Sequence, residues 1–368
     1  MLSILFYLAV FGLVFILQLF AMKQKNKMLQ KILVLGSFLV LLLLIGLRYK
    51  VGTDYLGHIG IYNDFSNRSF DSILTGSGDI GSKLIIGSAA HIFNDFKIIF
   101  WVYGLLTLYP IYKINKNSDF KYLAYSTLVF NLTVLPVSLN IIRQGAAMSF
   151  ALLSFDYLRN NKGMLKIVIS MVIAIILHPS ALLMAPFLVL YRLFGKRKDK
   201  KFQVFMLIVV FGISLLFVTS LKDALNEVGF GNYTYMFVAS RELGLSLGLV
   251  FYNVVYYAML LFMLLVYRKY KMNSDNDIII SKLFTILAAG SIFEIVCSMT
   301  KNLSRVSYYF SIYQILLIPL VLQNISDKKM RTIMGIVCMA VLTGLFVLRC
   351  YVQGYYEIIP YQSWLFIG

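Results

Sequence analysis

The sequence predicts an all-α, polytopic integral membrane protein, and three observations carry the prediction. Hydrophobic residues make up 60% of the 368-residue chain and the mean hydropathy is +0.80, more apolar surface than a soluble core of that size can bury. Apolar runs of the length that crosses a bilayer, about 17–25 residues, recur from end to end between lysine-rich breaks. No segment is polar enough to fold separately, so residues 1–368 are expected to form one polytopic membrane domain.

Taken in order, the runs place spans at Leu2–Phe20, Ile32–Leu47, Phe96–Tyr112, Tyr122–Pro136, Leu139–Leu158 and Met164–Leu177. Pro179–Leu193, Phe202–Ser220, Leu247–Tyr267, Ile278–Ser298, Ser304–Leu322 and Thr332–Leu348 bring the expected number to about twelve. The two runs flanking His178 are short and also read as one broken helix. Longer outer loops fall at about 48–82 and 221–246. Within the first, Gly52-Thr53-Asp54 reads as a turn, and Ser82–Phe93, too short and mixed to span, suits an interfacial amphipathic helix.

Charge then orients the chain. Lysines and arginines crowd alternate loops: Lys23–Lys31, Lys113–Lys121, Arg159–Lys166, Gly195–Lys201, Arg268–Lys271 and Lys328–Arg331. That side holds 23 of the 34 basic and 6 of the 16 acidic residues, which makes it cytoplasmic and leaves both termini outside. The net charge of +18 is therefore a topology signal, and no nucleic-acid partner is indicated. The first helix lacks a basic n-region and reads as an anchor. The three cysteines, Cys297, Cys338 and Cys350, lack C-x-x-C spacing, and neither a disulfide framework nor a metal site is expected. No internal repeat supports a transporter architecture.

The outer side is where arginine replaces lysine: Arg48, Arg68, Arg143, Arg241, Arg305 and Arg349. A guanidinium's planar fork suits bidentate contact with phosphate or carboxylate, whereas snorkelling at helix ends is the plain alternative, preferred for Arg68 and Arg349. Arg143 stands apart because it lies inside an apolar run, beside Gln144 and before Gly145-Ala146-Ala147. An arginine at bilayer depth costs several kcal/mol, roughly 2.5–3.5 on insertion scales, so it should face a hydrated cavity or a carboxylate. Glu294 is an intramembrane candidate for that carboxylate, for Arg143 or for Arg305. His178, at the Pro179 break, reads as a general base, a diphosphate donor or a satisfied interfacial histidine. Asp54 sits near the mouth of whatever Arg48 lines.

With these residues in place, the chain resembles the EpsG family of Wzy-like polysaccharide polymerases. The resemblance rests on GLRYKVGTDY (Gly46–Tyr55), NIIRQGAAMSF (Asn140–Phe150), LHPSALL (Leu177–Leu183), SRVSYYF (Ser304–Phe310) and EIIPYQ (Glu357–Gln362), in that order. It implies an enzyme that joins undecaprenyl-diphosphate-linked oligosaccharide repeat units into exopolysaccharide, capsule or O-antigen outside the cytoplasmic membrane. It also implies a fold in the style of lipid-dependent, GT-C-like glycosyltransferases, with a flippase and a chain-length regulator as pathway partners. On that basis Arg143, assisted by Gln144, would hold the donor diphosphate and Arg48 and Arg305 would complete the anion site. His178 would be the first choice of base for the acceptor hydroxyl and Asp54 the second. The donor carries its own activation, so no cofactor is needed, and no P-loop or dinucleotide fingerprint is present. The alternatives are a flippase for the same lipid-linked sugar and an O-antigen-type ligase.

Overall fold

The computed structural model describes residues 2–76, 78–193, 247–271, 276–296 and 303–366, with 201, 204–205, 208–209 and 212 between them. The expected outer loop at 221–246 and most of the expected span Phe202–Ser220 lie outside the described residues. What is described is helical; the only ladder pairs are two isolated bridges, Arg48 with Ser363 and Lys271 with Ile325. The chain divides into two units: Met1–Leu188 with Leu342–Gly368, and Val189–Val341.

In the first unit, α1 (Leu2–Lys23) and α2 (Lys27–Gly46) form an antiparallel hairpin. Asn26 makes the turn, its side-chain oxygen accepting from the Met28 and Leu29 amides that the start of α2 leaves without helical partners. One face of the hairpin is buried and pinned by Gln18 Nε2 donating to Ser37 Oγ at 3.0 Å. The other face exposes Leu13, Ile16, Phe20, Ile32, Leu35 and Leu39 at helical spacing. In water such a stripe would be a liability; against lipid it is the solvated face.

Two short helices, α3 (Tyr55–Ser66) and α4 (Phe70–Thr75), follow, then α5 (Ile80–Ser88) and a π-turn at Ala89–Phe93. The expected Ser82–Phe93 helix is thus present and begins two residues earlier. Next, α6 (Lys97–Asn117) packs on α2 so closely that a Cβ on Gly46 would lie 2.4 Å from the Trp101 ring. The run Leu123–Arg159 is split into α7 (Leu123–Thr133), α8 (Leu135–Asn140) and α9 (Ile142–Arg159). The break falls at Ile141, whose ψ of 66° is not helical. There α8 folds onto the start of α9, and a Cβ on Gly145 would meet Ser138 Oγ at 2.6 Å. The small residue after Arg143 therefore serves chain crossing. Finally α10 (Met164–Leu177), a 3-10 turn at Pro179–Met184 and α11 (Ala185–Leu193) follow the break at His178.

Among the described residues six helices are long and apolar enough to cross a membrane: Leu2–Lys23, Lys27–Gly46, Val250–Tyr270, Asn276–Ile295, Arg305–Gln323 and Lys328–Val352. Against the expectation of about twelve, α7 and α10 are the instructive cases. At 1.5 Å per residue, 11 and 14 residues reach only about 16 and 21 Å, short of a hydrocarbon core of about 30 Å. Both are apolar, whereas α9 is buried on nearly every side and is the central helix of its unit.

The second unit contains α12 (Leu247–Tyr270), α13 (Asn276–Val296), a 3-10 turn at Leu303–Ser307, α14 (Tyr308–Ser311), α15 (Gln314–Gln323) and most of α16 (Lys328–Val347). Its helices approach closely at Gly290, where a Cβ would lie 2.4 Å from Phe310 Cβ. At the end of α12 the Tyr270 carbonyl accepts from Ser326 N at 2.8 Å, and Lys271 pairs with Asp277.

Candidate functional site

Three of the five sequence motifs meet in the first unit, and backbone bonds hold them together. Tyr49 N donates to Gln362 O at 2.9 Å, Trp364 N to Leu47 O at 2.9 Å, Gly52 N to Glu357 O at 3.1 Å and Thr53 N to Tyr356 O at 3.1 Å. The stretch after α2 is thereby laced to the closing segment of the chain. Asn140, the last residue of α8, joins the third motif: its Oδ1 accepts from Thr53 Oγ1 at 2.7 Å and Asp54 N at 2.9 Å. Gly52 has a φ of +97°, and any side chain there would press on Leu139 O at 2.9 Å. The glycine of the V-G-T-D run is fixed by that left-handed turn.

On this frame α9 starts, with Arg143 in its first turn. Between Ile141 and Tyr157 Arg143 is the one residue that is not buried; its side chain is 30% exposed. Its Nη1 donates to Asp79 Oδ2 at 2.9 Å and to Ser82 Oγ at 3.0 Å. The carboxylate paired with Arg143 is that of Asp79. Glu294 lies in the second unit on α13, within electrostatic reach of Tyr257. Asp79 and Ser82 come from the start of α5, which is held by a close approach to α10: a Cβ on Gly81 would lie 2.6 Å from Ile176 O. Tyr103, buried on α6, brings its hydroxyl beside Ser82. Gln144 is buried next to Arg143 in the chain.

Arg48 is placed differently from the expectation. It is fully buried, with Nη1 donating to Leu139 O at 2.7 Å and its guanidinium 4.7 Å from the centre of the Phe100 ring. Nε and Nη2 have no hydrogen-bond partner among the described residues. The Tyr7, Tyr55 and Tyr361 hydroxyls surround it, and burial lowers its pKa to about 10. From within, it holds the break before Arg143 through the Leu139 carbonyl. Arg349, expected to snorkel, is likewise buried, 4.2 Å above the Tyr355 ring.

His178 ends α10, and its Nδ1 accepts from Ser180 N at 3.3 Å and lies 2.7 Å from Ser180 Oγ. That contact caps the 3-10 turn, a structural use of the nitrogen nearest the break. Asp54 starts α3, half-buried, with Thr53 Oγ1 at 3.5 Å from its carboxylate. Arg305 stands in the 3-10 turn Leu303–Ser307 of the second unit.

Two groups that sequence reasoning passed over belong to this site. Asp79 sits in a Gly- and Ser-rich loop where nothing in the pattern marks it. His58, one turn after Asp54, is 5% exposed and within electrostatic reach of both Arg143 and Arg48. Burial first, then Arg143, then Arg48, push its pKa down from 6.5 to about 3, so it is neutral. Among the described residues no cluster of His, Cys, Asp and Glu could hold a metal ion.

This arrangement presents an arginine at the start of a buried helix, on a frame of interlocked polar loops, in a helical membrane protein. The sequence matches the EpsG family over residues 31–363, nearly the whole chain, and the chain belongs to that family. In general terms its activity is that of a polysaccharide polymerase-like glycosyltransferase. No curated protein and no solved structure matches the sequence.

Proposed function

We propose that the protein polymerises lipid-diphosphate-linked oligosaccharide repeat units, with undecaprenyl diphosphate as leaving group, at the outer face of the cytoplasmic membrane. A hydroxyl of one unit attacks the anomeric carbon of the growing chain, and the diphosphate departs with the bonding electrons. Charge grows on the bridging oxygen as that bond breaks, and a fixed cation at shallow depth stabilises it most where water is excluded. The observation that supports this reading above others is Arg143: the one exposed residue over the first four turns of an otherwise buried helix, already paired with an oxyanion, that of Asp79. In the proposal the donor diphosphate takes the place of Asp79 on Arg143, with Ser82 and Tyr103 beside it and Gln144 supporting the turn. Arg48 acts from behind by holding Leu139, and Arg305 is kept as a second cation for the donor. The reading includes about twelve spans with both termini outside and a fold in the style of GT-C glycosyltransferases. The product is exopolysaccharide, capsule or O-antigen, made alongside a flippase and a chain-length regulator.

The test uses the full-length protein in nanodiscs with a lipid-diphosphate-linked repeat unit, and a gel that resolves polymer ladders. A wild-type ladder that is lost in folded Arg143→Ala supports the assignment. An unchanged ladder from Arg143→Ala ends the role given to Arg143. Substrate that crosses the bilayer without any ladder replaces polymerisation by transport.

A further inference from the structure

We propose that the cleft between α12 and α13 binds an anionic phospholipid, with the phosphate on Arg268 and an acyl chain along the apolar stretch of the same cleft. The site lies wholly within the second unit. It uses none of the residues given to the polymerase reading and stands whether or not that reading holds.

The cleft follows from where the two helices are fastened. Tyr257 of α12 donates its hydroxyl to Leu287 O of α13 at 3.4 Å and accepts from Ser291. At the other end of the pair Tyr267 donates to Asp277, and Lys271 forms an ion pair with the same carboxylate. From that second fastening back toward the first, the helices part around a cavity of about 390 Å³. Small-ligand sites run from roughly 300 to 1,000 Å³, and a close-packed interior leaves few voids larger than one water. Leu264, Arg268 and Lys271 line it from α12 and the residue that follows α12, while Ser281, Phe284 and Ala288 line it from α13. Both sets recur at three- and four-residue spacing, so each helix turns one face to the cavity.

Polarity changes along the cleft. Arg268, Lys271 and Asp277 gather at one end, and Leu264, Phe284 and Ala288 lie toward the other. Water gains no hydrogen bonds against the apolar walls, whereas a guanidinium at a membrane helix needs an acceptor or water. An amphipathic guest with an anionic head meets both demands. The Asp277 charge is already answered by Lys271 and the Tyr267 hydroxyl. Arg268 is exposed and makes no hydrogen bond or ion pair among the described residues.

The rim carries the same sign. Ser326 N donates to Tyr270 O at 2.8 Å, which brings the exposed Lys328 and Lys329 at the start of α16 to this end of α12. Asp327 spends a carboxylate oxygen on Met330 N at 3.0 Å. A basic pocket between membrane helices selects lipids whose headgroup has net negative charge. Snorkelling would account for an exposed arginine at a helix end, but it needs no cavity. Lys269 is the built-in control: it is exposed next to Arg268, lies over the Tyr270 ring and is not part of the lining.

Full-length protein freed of endogenous lipid in detergent is titrated with phosphatidylglycerol or phosphatidylcholine. Native mass spectrometry counts one-lipid adducts, and the thermal midpoint reports folding. The expected result is a preference for phosphatidylglycerol of about tenfold, abolished in Arg268→Gln and kept within about twofold in Lys269→Gln. Ala288→Phe fills the apolar stretch with every charge in place and should weaken phosphatidylglycerol binding about tenfold. Equal binding of the two lipids overturns the inference. Equal losses in Arg268→Gln and Lys269→Gln also overturn it, because only a diffuse basic surface is then left. Displacement of the lipid by excess inorganic phosphate would make the ligand a soluble anion and sinks the lipid assignment. If a variant does not fold, a photoreactive phosphatidylglycerol decides on the wild type. Cross-links within residues 264–288 are expected, and labelling confined to other segments overturns the site.

Discussion

The two ends of α9 carry the same kinds of side chain and use them in opposite ways. At the Arg159 end, the Asp156 carboxylate is fully buried and fully occupied. It accepts from Asn117 Nδ2 at 2.7 Å, Arg159 Nη2 at 2.7 Å, Arg159 Nε at 2.9 Å and Asn160 Nδ2 at 3.1 Å. At the Arg143 end one ion pair is partly exposed, and behind it four buried nitrogens of His58 and Arg48 have no hydrogen-bond partner among the described residues. A closed network is what a fold uses to fix a helix end; an open one keeps stability in reserve for something that binds.

The strongest way to break the comparison is at its closed end. Asp156→Ala leaves the largely buried Arg159 guanidinium without its carboxylate, together with half-buried Asn117, and breaking a buried pair costs about 3–5 kcal/mol. Loss of folded protein after detergent extraction is expected, measured by fluorescence-detected size exclusion against wild type. An Asp156→Ala protein of wild-type stability would mean that the network is ornamental and that occupancy does not distinguish the two ends.

Next comes the open end. Arg143→Ala removes the exposed cation and leaves the α8–α9 crossing to Asn140, Ser138 and Gly145. Turnover should fall about 10²–10³-fold, the usual loss for one donor to a developing oxyanion, with folding retained. The two substitutions should therefore separate cleanly, one in stability and the other in activity.

Some of this contrast was legible in the sequence and some was not. Arg143 was visible because a charge inside an apolar run has no neutral explanation, and the V-G-T-D turn because glycine at positive φ leaves a readable trace. The convergence of Gly46–Tyr55, Asn140–Phe150 and Glu357–Gln362 was beyond reach, since backbone bonds between distant segments carry no side-chain signature. Asp79 and His58 were overlooked for a related reason: in a polar loop a carboxylate or an imidazole looks like its neighbours until packing buries it. The full burial of Arg48 was not legible either, since an arginine after a span reads as a surface residue until packing is seen. Nor were the helix ends inside the apolar runs legible, because hydropathy registers α7 and α10 as apolar without registering that the helices end after 11 and 14 residues.

A smaller effect sharpens the comparison through pH. His58 titrates near 6.5 when unfolded and near 3 in place, so between those values the unfolded chain binds the extra proton. Stability contributed by the neutral ring is complete above about pH 6.5 and declines as pH falls toward 3, by at most about 1.4 kcal/mol per pH unit. The unfolding midpoint of wild type between pH 7.5 and 5 should slope downward with acid, and His58→Phe should flatten part of that slope. An identical slope in the variant would place the acid-sensitive group elsewhere.

The smallest expected effect is at the ion pair itself. Asp79–Arg143 is partly exposed, and pairs of that kind contribute about 0–1 kcal/mol. Asp79→Asn keeps the shape of the α5 start and removes the charge, so the thermal midpoint should move by only about 2–4 °C. Donor affinity is the sharper readout, because the proposal makes Asp79 a competitor of the diphosphate for one guanidinium. Freed of it, Arg143 should hold undecaprenyl diphosphate more tightly by up to about fivefold, the equivalent of about 1 kcal/mol. Weaker binding in Asp79→Asn would reverse that logic. Asp79 would then orient Arg143 for the donor while staying in place, and the open end of α9 would be a pre-built clamp in which the carboxylate is a permanent part.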